Sequence, residues 1–142
     1  LMQLMPATAG FMDGTRYRGA KRKALYDPIH NIGLGQKYIQ HLMDNLTIGH
    51  NLFFTTTAYN AGPGNLSKWR RKSDYRDDPL LFIESIKSRE TRNYVEHVMT
   101  NFWAYRLRLG QPTPSLDAVA SGEWPVYISF DQSNIKAARN AN

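Results

Sequence analysis

The sequence predicts an all-α fold, and three observations support that class. Apolar residues recur at helical spacing over residues 32–46 and 94–109. Asp-Pro pairs at 27–28 and 78–79 join a residue that caps helix N-termini to one tolerated at the first helical position. Strand signals are scarce, since VYISF at 126–130 is the only candidate.

The elements follow in chain order. Residues 1–12 predict a helical turn or two around Pro6, and residues 13–26, with five basic side chains between positions 16 and 23, predict an exposed loop. Five more helices are predicted over residues 28–46, 51–60, 63–69, 80–86 and 89–109. These elements form a domain over residues 1–110. Residues 111–142 lose the helical periodicity and predict an irregular C-terminal extension.

Composition limits the function classes. The 142 residues suffice for one domain with a core, and the net charge of +6 favours polyanionic surroundings such as nucleic acid, acidic lipid or an acidic cell-wall polymer. The absence of cysteine excludes disulfides and thiolate metal sites. No stretch reaches the roughly 18 apolar residues of a membrane span.

The stretch TAYNAGPGNLSKW, at 57–69, contains the first candidate site residues. Gly62 permits the backbone conformation that ends a helix, and Pro63 starts the next one. These two residues explain a helix–turn–helix corner, but they do not explain Tyr59 and Asn60. A hydroxyl and an amide at a helix end can hydrogen-bond a polar ligand in a cleft.

Four motifs occur together in order: LMQLMPATAGFM at 1–12, DPIHNIGLGQKYIQHLM at 27–43, TAYNAGPGNLSKW at 57–69 and FIESIKSRETRNYVEHVMTNFWAY at 82–105. Together they resemble the soluble lytic transglycosylase (SLT-type, goose-lysozyme-like) domain of bacterial cell-wall enzymes. The resemblance covers residues 1 to about 109 and implies a lysozyme-like helical domain.

The resemblance also implies which residues bind substrate. Gln3 and Met5 line a saccharide groove near the scissile bond, and Tyr59 and Asn60 contact the sugar. A second polar group follows on the last long helix, where Glu90 is accompanied by Tyr94. The expected substrate-binding set is therefore Gln3, Met5, Tyr59, Asn60, Glu90 and Tyr94.

The implied reaction is cleavage of the β-1,4 bond between N-acetylmuramic acid and N-acetylglucosamine in peptidoglycan. The muramic acid's own 6-hydroxyl attacks and leaves a 1,6-anhydro end, with no metal and no cofactor. The implied partners are peptidoglycan glycan strands, and the implied location is the periplasm or cell envelope of a bacterium. Membrane anchoring stays open.

This sequence departs from the family pattern at one residue, the family's single catalytic glutamate. It precedes the Leu-Met-Gln motif with which this sequence begins, so we assign no catalytic residue and expect the domain as given to lack its first helices and to be inactive. Glu84, Glu96 and Glu123 are interpreted as solvated charges. Glu90 lies nearest the expected cleft, but first-turn charge and pairing with a neighbouring arginine explain it better than an acid role.

Two other functions stay open. A non-catalytic peptidoglycan- or glycan-binding module would keep the same groove. A nucleic-acid binder is suggested by the basic segments 16–23 and 68–72, although solvated charge or attraction to the peptide carboxylates of the wall explains them better, and we expect no nucleic-acid partner. The four histidines have no metal-ligand spacing, so no metal site is predicted: His30, His41, His50 and His97.

Overall fold

A computed structural model describes residues 1–129, and its regular structure is helical. Seven α-helices and one 3-10 helix occur in this part of the chain: α1 Pro6–Asp13, the 3-10 helix Gly19–Tyr26, α2 Pro28–Met43, α3 Leu52–Ala61, α4 Pro63–Lys72, α5 Pro79–Ser85, α6 Arg89–Arg108 and α7 Pro114–Ala120. The predicted all-α class is confirmed. Each described helix is too short or too polar to cross a membrane.

Helix starts lie at the capping residues that the sequence indicates. The carboxylate of Asp27 accepts from the backbone N–H of His30, and that of Asp78 accepts from Leu80 and Leu81. The Ser88 hydroxyl accepts from the backbone N–H of Thr91. These contacts satisfy N–H groups that have no partner inside their own helix.

The core surrounds α3, whose first seven residues are all buried. This helix packs against α2, α4 and α6. Phe53 and Ala58 are almost completely inaccessible to solvent, as is Leu66 of α4. Because α3 is enclosed on several sides, it carries no charged residue, and its three threonines are buried with its apolar side chains. Its C-terminal end, at Tyr59 and Asn60, is therefore fixed by the core.

Two sequence-based expectations are corrected. The predicted loop over residues 13–26 contains the 3-10 helix, which a helical pattern did not reveal because none of its side chains is buried. The helical spacing of apolar residues over 94–109 predicts a stripe that includes Tyr105 of α6 and Leu109 at its C-cap, yet these are 61% and 67% exposed. The buried face instead ends at Arg106, whose guanidinium lies 4.5 Å from the centre of the Phe102 ring.

The extension is less irregular than the sequence predicts. It contains α7, whose Val119 joins the core, and the Trp124 ring lies 4.8 Å from the Phe54 ring. The candidate strand forms only a single antiparallel bridge between Asn51 and Val126, and its last residue, position 130, lies outside the described residues.

Candidate functional site

The N-terminal segment, residues 1–5, is held by hydrogen bonds from two helices. The Tyr59 hydroxyl of α3 donates to the Met2 carbonyl over 2.8 Å. The Met2 N–H donates to Oδ1 of Asn31 on α2, also over 2.8 Å. Asn31 is buried and uses its Nδ2 to donate to the Leu25 carbonyl at 2.9 Å. One asparagine therefore connects α2, the 3-10 helix and the N-terminal segment.

This arrangement encloses a cavity of about 220 Å³ between the N-terminal segment and the helix corner after α3. Five of the six predicted residues line it: Gln3, Met5, Tyr59, Asn60 and Tyr94. The remaining lining residues are Leu4, Thr8, Tyr38, Ala61 and Gly62. The structure thus brings together side chains from the first, third and fourth sequence motifs, and from Tyr38 of the second.

Glu90 is not among the lining residues of this cavity and is exposed in the first turn of α6. Its neighbour Thr91 makes the contact instead, because the buried Thr91 hydroxyl donates to Oδ1 of Asn60 over 2.7 Å. Among residues 1–129 the amide nitrogen of Asn60 has no hydrogen-bond partner. Asn60 is therefore oriented by Thr91 and keeps a free donor for a ligand.

Tyrosines dominate the electrostatics of the cavity. Burial raises the pKa of Tyr59 to about 12, with further contributions from Tyr94 and Tyr38. Burial also raises the pKa of Tyr38 and of Tyr94. The Tyr38 and Tyr59 ring centres lie 5.3 Å apart. The three phenols therefore stay neutral across physiological pH and can face an uncharged polar ligand such as a sugar.

A second cavity, of about 480 Å³, adjoins the first and shares Gln3, Tyr59 and Tyr94 with it. Its other walls are largely apolar and come mainly from α2, α3 and α6, including Ile39, Leu52, Val98 and Phe102. No aspartate or glutamate of the described chain lines either cavity. The described residues therefore provide hydrogen-bonding and apolar surface but no carboxyl group.

Gln3 has a backbone φ of 52°, in the left-handed region that non-glycine residues seldom adopt. It is one of three such residues in the described chain, and the other two, Arg76 and Asp77, belong to a surface turn. Gln3 adopts this conformation where the N-terminal segment is held on both sides by the bonds of Met2 and by the start of α1. Unusual backbone conformations of this kind occur often at ligand sites.

A family model for the transglycosylase SLT domain matches residues 1–82. The chain belongs to this family. The range that the family model matches includes Gln3, Met5, Tyr59 and Asn60. Glu90 and Tyr94 lie beyond it.

Relatives and a solved structure agree with this membership. The SLT domain is 39% identical over 115 residues to the soluble lytic murein transglycosylase of Salmonella typhimurium, covering 78% of this chain and 17% of the relative. It is 36% identical over 130 residues to the Escherichia coli K12 enzyme of the same name, covering 87% and 19%. The crystal structure of the 70 kDa soluble lytic transglycosylase of Escherichia coli superposes with a TM-score of 0.65 at 37% identity, over 78% of this chain and 18% of that one. The chain thus spans about a fifth of these proteins.

Sequence reasoning missed two polar residues that shape the first cavity, one that lines it and one that orients Asn60. Tyr38 lines the first cavity, although its helical position also indicates a core residue. Thr91 lies directly after Glu90, and the prediction chose Glu90 because a carboxylate is the more usual polar group at a sugar site. The available signal was Ser88, because an N-cap at that position accepts from the backbone N–H of the third helical residue, Thr91, and so fixes where the helix begins.

Proposed function

We propose that this SLT domain is the saccharide-binding part of a peptidoglycan lytic transglycosylase, which cleaves the β-1,4 bond between N-acetylmuramic acid and N-acetylglucosamine and forms a 1,6-anhydro product. The observation that carries the proposal is the convergence of Gln3, Met5, Tyr59, Asn60 and Tyr94 on one cavity. Family membership and relatives named soluble lytic murein transglycosylases support it. The proposed location is the periplasm or cell envelope of a bacterium.

The chemistry of the first cavity, which we call the saccharide groove, suits a sugar strand. A pyranose ring has an apolar face that packs on aromatic side chains and a rim of hydroxyl and amide groups. Tyr94 offers a neutral ring, while the Asn60 amide nitrogen and the Gln3 side chain offer hydrogen bonds. The Tyr59 hydroxyl donates its hydrogen bond to the Met2 carbonyl, so its oxygen can still accept from a sugar hydroxyl.

The reaction needs a carboxyl group that protonates the leaving oxygen and then accepts the proton of the 6-hydroxyl. Such an acid must stay protonated near neutral pH, which an apolar environment achieves by raising its pKa. The apolar wall of the larger cavity, next to Tyr59, offers this environment. We assign substrate binding to residues 1–129, and we assign the role of the carboxyl group to none of them.

A non-catalytic glycan-binding module is the second candidate. The specific observation in its favour is that no carboxylate of the described chain lines either cavity. Both candidates use the same groove for the same ligand, so binding alone does not separate them, whereas product analysis does.

The test combines binding with product analysis. The protein is incubated with purified peptidoglycan, and the soluble products are analysed by mass spectrometry, while titration calorimetry measures binding of a stemless glycan oligomer. We expect Asn60→Ala to weaken oligomer binding by about tenfold, because it removes a donor to the ligand. Asn93→Ala, an exposed asparagine on α6, is the matched control.

The digestion is repeated with a fusion that places a relative's glutamate-bearing helix before Leu1, because residues 1–129 bring no carboxyl group to either cavity. Products with 1,6-anhydro ends, from either form, support the enzyme. Binding by both forms without such products supports the binding module. Absence of oligomer binding, or equal weakening by Asn60→Ala and Asn93→Ala, contradicts both candidates.

A further inference from the structure

A third cavity, of about 450 Å³, lies against the other side of α1. Ala7 and Gly10 of α1 line it, whereas Thr8 lines the saccharide groove. Successive helical residues are about 100° apart, so Thr8 lies on the face opposite Gly10. The two cavities are therefore separated by the width of one helix, about 10 Å with side chains.

The third cavity is strongly basic. Arg16, Arg18 and Arg22 line it, and within residues 1–129 none of them forms an ion pair. Asp13, at the end of α1, accepts from the Tyr17 hydroxyl and the Thr15 N–H, and among the described residues it forms no ion pair with these arginines. Three arginines therefore line this cavity, and no carboxylate of the described chain lines it with them.

The segment that carries these arginines is anchored. Tyr17 lies between Arg16 and Arg18 and is 5% exposed. Its hydroxyl donates to Asp13 and lies 2.6 Å from Nε2 of His30. Because the phenol has one hydrogen and donates it to Asp13, the Nε2–H of His30 is the donor in the hydrogen bond between His30 and Tyr17. The backbone of the basic segment is thus held by α1 and α2, which lowers the ordering cost when the arginines bind a ligand.

We propose that this basic cavity binds carboxylate groups of the peptide stem on a glycan strand that occupies the saccharide groove, an inference that rests on the proposed function. Guanidinium groups pair with carboxylates through two parallel hydrogen bonds. An extended peptide spans ~3.5 Å per residue, and half the circumference of a helix about 10 Å wide is roughly 16 Å, so a stem of about four to five residues reaches around α1. The cavity then makes the protein select strands that still bear their stems.

The shape of the site argues against nucleic acid as its ligand. Duplex binding uses an extended row of phosphate contacts along the backbone. Here the three arginines line one cavity, on the other side of α1 from a neutral, tyrosine-lined cavity. A ligand that joins an uncharged sugar to a short carboxylate-bearing branch fits both surfaces together.

The test compares two forms of one glycan oligomer, one with peptide stems and one from which an amidase has removed them. The cavity variant is Arg16→Gln, Arg18→Gln and Arg22→Gln combined. The matched control is Lys68→Gln, Arg71→Gln and Lys72→Gln, which removes the same charge from exposed positions of α4 outside all three cavities. Arg70 is kept, since it donates to the Thr47 carbonyl.

We expect the unmodified protein to bind the stem-bearing oligomer about tenfold more tightly than the stemless one, as several exposed ion pairs of modest strength imply. The cavity variant loses that preference and the control retains it, while both bind the stemless oligomer normally. The preference also falls as salt is raised, because exposed charges are screened.

Several results overturn the inference. Equal binding of both oligomers by the unmodified protein does so and leaves the proposed function standing. An equal loss of the preference in both triple variants shows that net charge, and not this cavity, causes it. Duplex DNA bound more tightly than the stem-bearing oligomer, through the same arginines, replaces the stem by nucleic acid. Failure to bind either oligomer overturns the inference and the proposed function together.

Discussion

Tyr59 joins the core to the groove at the level of a single side chain. Its hydroxyl donates to the Met2 carbonyl, 57 positions earlier in the chain, and its ring packs on Tyr38. It also lines both cavities next to the N-terminal segment. A change at Tyr59 should therefore affect both the stability of the domain and the shape of the groove.

Ionisation of Tyr59 predicts a loss of stability in alkali. Its pKa is raised from 10.0 to about 12, so folding favours the protonated phenol. The resulting stabilisation is fully present below pH 10.0, the ordinary value, and is lost as the pH rises through about 12. Urea unfolding at a series of alkaline pH values, together with tyrosinate absorbance, measures the loss.

The matched variant is Tyr59→Phe, which should make the alkaline decline shallower. The decline should not disappear, because Tyr17, Tyr38 and Tyr94 also have raised pKa values. An identical pH dependence in Tyr59→Phe and the unmodified protein would contradict this assignment.

Asn31 predicts a second effect of a single residue. Asn31→Ala removes the acceptor for the Met2 N–H and the donor to the Leu25 carbonyl. We expect a loss of about 2 kcal/mol in the free energy of unfolding, because partly buried backbone groups are left without partners. Gln36→Ala, an exposed position on the same helix, serves as the control and should change stability by less than about 0.5 kcal/mol. Equal effects would show that Asn31 does not hold the segment.

Helix α2 contains two glycines that should respond in opposite ways to substitution by alanine. A Cβ at Gly35 would lie 2.6–2.9 Å from atoms of the Met2 side chain, whereas a Cβ at Gly33 meets nothing within 4 Å. Gly33→Ala should stabilise the domain by about 0.5–1 kcal/mol, because alanine favours the helix. Gly35→Ala should destabilise it by about 1–3 kcal/mol, because the N-terminal segment must move.

Thermal and urea unfolding of both variants measure the difference. Stabilisation by both alanines would show that the segment yields without cost. The bond between Tyr59 and Met2 would then not depend on close packing at Gly35.

The sequence predicts elements well where the signal is local. Asp27 and Asp78 cap helices as predicted, because a cap needs only the residues that follow it. The 3-10 helix lacks a buried face, so no periodicity marks it. The buried face of α6 depends on how that helix crosses α3 and on the partners of Arg106 at Pro112 and Ile128, which lie outside the pattern.

The site required more than local signals. Gly62 and Pro63 mark the helix corner and lie within four positions of Tyr59 and Asn60, so this part of the site could be predicted from the local sequence. The bond from Thr91 to Asn60 spans 31 positions, which no spacing rule predicts. Family resemblance identified Gln3 and Tyr94 as groove residues, and the structure brings both to the cavity. Their role in binding saccharide stays a prediction.

At the scale of the whole molecule, residues 111–129 complete the core. The Trp124 ring packs on Phe54 and Phe82, and its Nε1 donates to Asp77 over 2.8 Å. The backbone of Pro125 accepts from the N–H of Leu52 at the start of α3. The proposed boundary at residue 110 therefore separates the helical pattern of the sequence from its extension, but it does not separate two independent cores.

This packing predicts that Trp124→Ala destabilises the whole domain by about 3 kcal/mol, in a single transition, since a large aromatic side chain is removed from several ring contacts. Glu123→Ala, at the exposed neighbouring position, should have little effect. Unfolding is followed by near-ultraviolet circular dichroism and by urea titration. A separate early transition in Trp124→Ala, with the main one unchanged, would indicate an extension that folds independently.

The backbone conformation of Gln3 limits how the groove can be re-engineered. With φ at 52°, position 3 tolerates glycine and asparagine readily but excludes valine, isoleucine and threonine. A library that randomises this codon should therefore return few folded clones with β-branched side chains, whatever oligosaccharide is used for selection. Positions 60 and 94 are helical, so their backbone conformation does not restrict the side chain in this way.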